Sequence, residues 1–112
     1  MSEFEVWSRA LKQVLPEAER RMDIRPIITK LDSNNLLNYY EYAEVEGLRN
    51  RIEQTRKVFQ FIGNKDTPYI HKFVYILETS DGFEHWARTI KEYAGVPVTE
   101  VVGKFVGGVG QL

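Results

Sequence analysis

The sequence predicts an all-α fold, a six-helix antiparallel bundle whose first helix kinks near Pro16. Three observations predict it. Apolar residues recur at three- and four-residue spacing almost throughout. Clusters of Asn, Asp, Ser, Gly and Pro interrupt that pattern between the periodic segments. The chain has 112 residues, the size of one domain around one core.

The first helix carries Phe4, Trp7, Leu11, Val14, Leu15, Ala18 and Met22 on one face. Ser2 is its expected N-cap, and Glu3 and Glu5 suit the positive end of the helix dipole. Pro16 lies inside the pattern, where a missing N–H and a bulky ring bend a helix or split it. A second, short helix carries Ile24, Ile27, Ile28 and Leu31. Asp23 is its expected cap, and Pro26 is tolerated in the first turn. The turn cluster Asp32-Ser33-Asn34-Asn35 ends it.

Leu36, Leu37, Tyr40 and Ala43 mark a third helix, stopping near Gly47. The fourth places Leu48, Ile52, Thr55, Phe59 and Ile62 inward, with Gly63-Asn64 as its C-terminal cap. Asp66-Thr67-Pro68 opens a fifth, with Ile70, Phe73, Val74 and Leu77 on its face. After Ser80-Asp81-Gly82, the sixth carries Phe83, Trp86, Ala87, Ile90 and Tyr93 and ends at Gly95. Loops this short give a bundle of neighbouring helices. The expected domain is therefore 1–96. Residues 97–112, with four glycines among them, read as a flexible Gly-rich tail or linker.

Composition removes several classes of function. There is no cysteine, hence no disulfide framework, thiolate metal site or cysteine nucleophile. The net charge of −1 gives the whole domain no electrostatic pull toward nucleic acid or anionic lipid. No apolar run reaches membrane-spanning length. The two histidines, His71 and His85, have no ligand-type partner at i+3 or i+4. Carboxylates are scattered over helix faces, and the terminal glycines follow no strand and precede no helix. The expectation is a non-enzyme with no catalytic or metal residues and no cofactor.

Charge placement says more than charge content. From Asp32 to Gly47 the charged residues are Asp32, Glu41, Glu44 and Glu46, all acidic. From Arg49 to Lys57 they are Arg49, Arg51, Glu53, Arg56 and Lys57, mostly basic. One account is a solvated surface with helical pairs such as Glu53 with Lys57. The other is a self-complementary surface, acidic on one copy and basic on the next. Arg20, Arg21 and Arg25 form a further basic cluster. With the 49–57 segment they define an alternative, a helical nucleic-acid-binding module. A third reading places a small-molecule pocket around Trp7, Tyr40 and Trp86, residues that packing alone also explains. Tyr39 and Tyr42 are candidate exposed contact aromatics.

The segment from about Ile27 to Ala94 resembles the caspase recruitment domain (CARD) family of the death-fold superfamily. The clearest stretch runs Tyr69-Ile70-His71-Lys72-Phe73-Val74-Tyr75-Ile76-Leu77-Glu78-Thr79-Ser80, then Gly82-Phe83-Glu84-His85-Trp86-Ala87. Phe73, Leu77, the Thr79-Ser80 turn and the Trp86-Ala87 pair take the places of the family's helix-five and helix-six pattern. Ile28 to Leu37 and Arg51 to Ile62 look like its second to fourth helices. Trp86 departs from the usual aliphatic, and Lys65-Asp66-Thr67-Pro68 lacks the common basic-Gly pair. The kind of parent therefore stays open among a caspase, a nucleotide-binding adaptor and a viral-RNA-sensing helicase.

The resemblance implies a cytoplasmic homotypic adaptor in apoptotic, innate-immune or RNA-sensing signalling. Its partner would be another CARD-containing protein or a second copy, with no membrane or small-molecule substrate, and with nucleic acid disfavoured for this domain. Such domains pair acidic patches on helices two and three with basic patches on helices one and four. Carried over by position, the acidic candidates are Asp32, Glu41 and Glu44. The basic candidates are Arg9, Lys12, Arg49, Arg51 and Arg56. The same carry-over expects reversal of Arg51 and Arg56 to weaken binding while leaving helicity intact.

Overall fold

Ser2 and Glu5 start the chain's regular structure with a reciprocal cap. The Ser2 hydroxyl accepts the Glu5 N–H at 3.1 Å, and the Glu5 carboxylate accepts the Ser2 N–H at 3.0 Å. The computed structural model describes residues 2–96. It contains α1 (Glu3–Arg21), α2 (Arg25–Ser33), α3 (Tyr39–Glu46), α4 (Arg51–Gly63), α5 (Thr67–Glu78) and α6 (Glu84–Ala94). This is the six-helix, all-α bundle the sequence predicts. The Gly-rich stretch read as a tail lies outside the described residues. Among the described residues no helix is long and apolar enough to cross a membrane.

α1 runs through Pro16 as one helix and does not split into two segments there. Proline supplies no N–H to the Lys12 carbonyl one turn earlier, so that bond is missing. Burial on both sides of the interruption holds the helix together. Trp7, Ala10, Leu11 and Val14 precede Pro16 and Ala18 follows it, all in the core. α1 is the central element, packing on α4, α6 and α5, while α2 lies against α3 and α5. Phe59 of α4 meets Phe73 of α5 edge to face at 5.5 Å, a geometry worth about 1 kcal/mol beyond area burial.

Proline and glycine sit where local chemistry wants them. Pro26 and Pro68 occupy the first turns of α2 and α5. Gly95 closes α6 in the left-handed conformation, at φ 80°. Asp23 caps one residue off the expected position: it accepts the Arg25 N–H at 3.2 Å, while Ile24 holds the N-cap place without a side-chain bond.

Two helices turn differently from their apolar pattern. α3 begins at Tyr39, so Leu36 and Leu37 belong to the preceding connection, although both are buried. The true phase of α3 turns Tyr42 and Val45 inward. Tyr42 packs on the core, whereas Tyr40, expected inside, is 80% exposed beside Tyr39 at 76%. In α6 the inward series is Trp86, Ala87, Ile90 and Lys91, and Tyr93 faces solvent. Lys91 is tolerated inside because its ammonium donates to the Glu78 carboxylate of α5 at 2.7 Å.

Candidate protein-interaction surface

The eight patch residues divide into those left unengaged among the described residues and those already engaged within the domain. Arg9 and Lys12 lie on exposed positions of α1, one turn apart, with no ion-pair partner among the described residues. Phe4, 37% exposed, lines the same shallow depression as Arg9 and Lys12. That depression adjoins a narrow cleft between α1 and α4, floored by Leu11, Leu15, Phe59 and Gly63. Lys12, Gln60 and Asn64 stand at its rim. At about 80 Å³ the cleft is too small for an ordinary metabolite. Ser8 helps close it by donating to the Gly63 carbonyl at 3.0 Å.

Arg49, in the connection before α4, is also exposed and without an ion pair among the described residues. Arg51 is not a surface cation of this kind. Its guanidinium turns back to the end of α1 and donates to the Glu19, Arg20 and Met22 carbonyls at 3.1, 3.0 and 3.0 Å. These are carbonyls that a helix end leaves without intrahelical donors. Reversal of Arg51 would therefore remove three hydrogen bonds within the domain as well as change a charge. Arg56 pairs with Glu19 of α1 at 2.7 Å, and that hydrogen bond, reinforced by the opposite charge, holds its pKa above the usual arginine range.

The acidic candidates divide in the same way. Glu41 turns inward, accepting the Asn38 N–H at 2.9 Å and the Lys65 ammonium at 2.8 Å. Glu44 pairs with Lys57 at 3.0 Å but keeps half its side chain in solvent. Asp32, half-buried near the end of α2, has no ion pair among the described residues. Of these three, only Glu44 stands exposed, while Glu41 is engaged with Lys65 and Asp32 is half-buried. The acidic surface the structure does present is the outward face of α3: Tyr39, Tyr40, Ala43, Glu44 and Glu46, with no cation in that helix. Glu46 and Tyr40 are absent from the positional carry-over. The signal that finds them is the Asn38–Glu41 reciprocal cap, which sets the start and therefore the phase of α3.

The second basic cluster is neutralised locally. Arg20 and Arg21 both reach Glu17, at 2.9 and 3.2 Å, and Arg25 forks onto Asp23. The Asp23 carboxyl is held below its ordinary pKa chiefly by the Arg25 hydrogen bond. The aromatic pocket does not form, because Tyr40 faces solvent while Trp7 and Trp86 are buried. His71 meets Trp7 edge to face at 4.9 Å and lies 3.4 Å from Glu3. His85 lies over its neighbour Trp86 at 4.5 Å. Among the described residues, no group of three or more His, Asp or Glu is placed to hold a metal ion.

No protein-family model, curated protein or solved structure matches this chain.

Proposed function

We propose that this domain is a protein–protein recruitment module of the caspase-recruitment type. It engages another such domain or a second copy of itself through opposed charged faces. One observation carries the reading. Arg9 and Lys12 stand exposed on α1 beside an aromatic and an apolar cleft, while the outward face of α3 is acidic and aromatic without a cation. A cation pair on one copy and a carboxylate pair on the next can form a heterologous, repeating contact. Each exposed ion pair contributes about 1 kcal/mol or less. The apolar contacts of Phe4, Tyr39 and Tyr40, and repetition of the contact, must supply the rest. The CARD-like sequence pattern supports this assignment, with a cytoplasmic setting in apoptotic or innate-immune signalling as its corollary.

The test is light scattering on size-exclusion eluates over a concentration series, at low and high salt, for the wild type and Arg9→Glu/Lys12→Glu. Growth with concentration that salt reverses and the double variant abolishes is the expected result. Assembly indifferent to both would sink charge pairing. A wild type that is monomeric throughout removes self-pairing, and the same variant is then assayed for loss of binding to candidate CARD partners. The nucleic-acid reading gains no observation, since the Arg20, Arg21 and Arg25 cluster is paired within the domain.

A further inference from the structure

α3 presents two phenols that the domain itself does not use. Tyr39 and Tyr40 are 76% and 80% exposed, meet edge to face at 5.4 Å, and their hydroxyls make no hydrogen bond among the described residues. Packing does not explain two adjacent large aromatics in solvent, and the hydroxyls have no structural duty.

We propose that the Tyr39–Tyr40 pair is a phosphorylation site for a protein-tyrosine kinase. Three properties fit that chemistry. The acceptor hydroxyls are open to a bulk reagent. The local sequence, Asn38-Tyr39-Tyr40-Glu41-Tyr42-Ala43-Glu44-Val45-Glu46, carries three carboxylates and no cation, which favours a kinase whose cleft is basic. A kinase also needs its acceptor segment in extended form, and α3 can supply it cheaply. The helix has eight residues, only Val45 is fully buried, and it packs on α2 and α4 alone among the principal helix contacts. Such elements open locally at little cost.

The other tyrosines lack this combination. Tyr42 and Tyr75 are half-buried, and Tyr42 packs on the core. Tyr69 follows Pro68 in the first turn of α5, whose remaining length carries Ile70, Phe73, Val74, Ile76 and Leu77 in the core. Tyr93 is exposed, but its helix is anchored by Trp86, Ile90 and Lys91. Opening either of those helices disrupts the centre of the bundle.

In the reaction a phenol oxygen attacks the γ-phosphorus of a nucleoside triphosphate. The bond from that phosphorus to the β-phosphate bridging oxygen breaks, and the nucleoside diphosphate departs with the electron pair. The phenolic proton goes to the kinase's base. The product carries about two negative charges per modified tyrosine, added to a face that holds Glu44 and Glu46 already. The effect on assembly rests on the pairing proposed above: phosphate on either ring puts charge where that pairing uses the apolar contacts of Tyr39 and Tyr40, so modification is expected to weaken assembly. The site itself stands without that reading.

The test incubates the folded full chain with a purified broad-specificity tyrosine kinase domain and magnesium ATP, and locates phosphate by peptide mass spectrometry. The variants are Tyr39→Phe/Tyr40→Phe and, as a control, Tyr42→Phe. Each removes only a hydroxyl, and circular dichroism checks that the double variant stays folded. The first phosphate is expected at Tyr39 or Tyr40, with initial incorporation about tenfold slower in the double variant and little changed in Tyr42→Phe, as segment opening favours α3. First incorporation at another tyrosine, equal rates in the double variant, or labelling only after denaturation would each overturn the assignment. Salt-sensitive assembly unchanged by phosphate at Tyr39 or Tyr40 would instead count against the pairing, not the site.

Discussion

The guanidinium of Arg51, first residue of α4, donates to the carbonyl of Met22 at 3.0 Å, just beyond the end of α1. With its bonds to the Glu19 and Arg20 carbonyls, this makes one side chain the clasp between two helices. A forked cation can serve several carbonyls at once, which an ammonium cannot do in the same geometry. Arg51→Ala is expected to lower unfolding stability by about 2 kcal/mol, as for hydrogen bonds from a charged group. Arg51→Lys should recover only part of that. Urea unfolding midpoints decide it, and an unchanged midpoint for Arg51→Ala removes the clasp.

The pair formed by Lys91 and Glu78 is expected to be asymmetric. Lys91 is 2% exposed while Glu78 keeps 30% of its side chain in solvent. Glu78→Ala removes the carboxylate that faces a buried ammonium and should cost about 3 kcal/mol. Lys91→Met fills the space with an apolar chain and leaves a carboxylate that is part-exposed as a side chain but has Oε1 buried, so it should cost less than Glu78→Ala. Thermal unfolding of the two variants gives the order, and a more damaging Lys91→Met contradicts it.

Asp23 sets a small pH dependence at acid. Its folded pKa is lowered below 3.8, first by the hydrogen bond from Arg25. A lowered carboxyl pKa contributes stability fully above the unfolded value and loses it as pH falls through the folded value. The wild type should therefore exceed Asp23→Asn in stability near pH 6, with the gap closing as pH drops below 3.8. The gap is small because both side chains are largely solvated. Denaturant melts of the two proteins at both ends of that range check the sign, and a gap that widens with acid rejects it.

The glycines at two helix ends differ in what they tolerate. Gly95 has φ 80°, where a Cβ costs about 1 kcal/mol or more, so Gly95→Ala should destabilise. Gly63 is the last residue of α4 and has no such conformation. A Cβ there would meet Leu11 Cδ1 at 3.7 Å and Ser8 Oγ at 4.0 Å, ordinary contact distances. Gly63→Ala is expected to be neutral or to add up to about 1 kcal/mol through helix propensity. Opposite shifts in melting temperature are the readout.

Local sequence determined six helices, the Ser2–Glu5 cap, the first-turn prolines at 26 and 68, the glycine end at 95 and most of the core. Each depends on residues within a turn or two of one another, where 3.6-residue periodicity and capping chemistry act directly. The misread phase of α3 was also a local matter: counting from Leu36 put Tyr40 inside, whereas the Asn38–Glu41 cap turns Tyr42 and Val45 inward. The charged surface is another kind of property. Arg56 lies 37 residues from Glu19, Lys65 lies 24 from Glu41, and Arg51 lies 29 from Met22. Only the docking of α4 on α1, and of the turn after α4 against α3, brings those groups within hydrogen-bond reach. A cation's sequence context shows that it can reach water. Which cations stay unengaged among the described residues, Arg9, Lys12 and Arg49 rather than Arg51 and Arg56, depends on which carbonyls and carboxylates the folded chain has brought beside them.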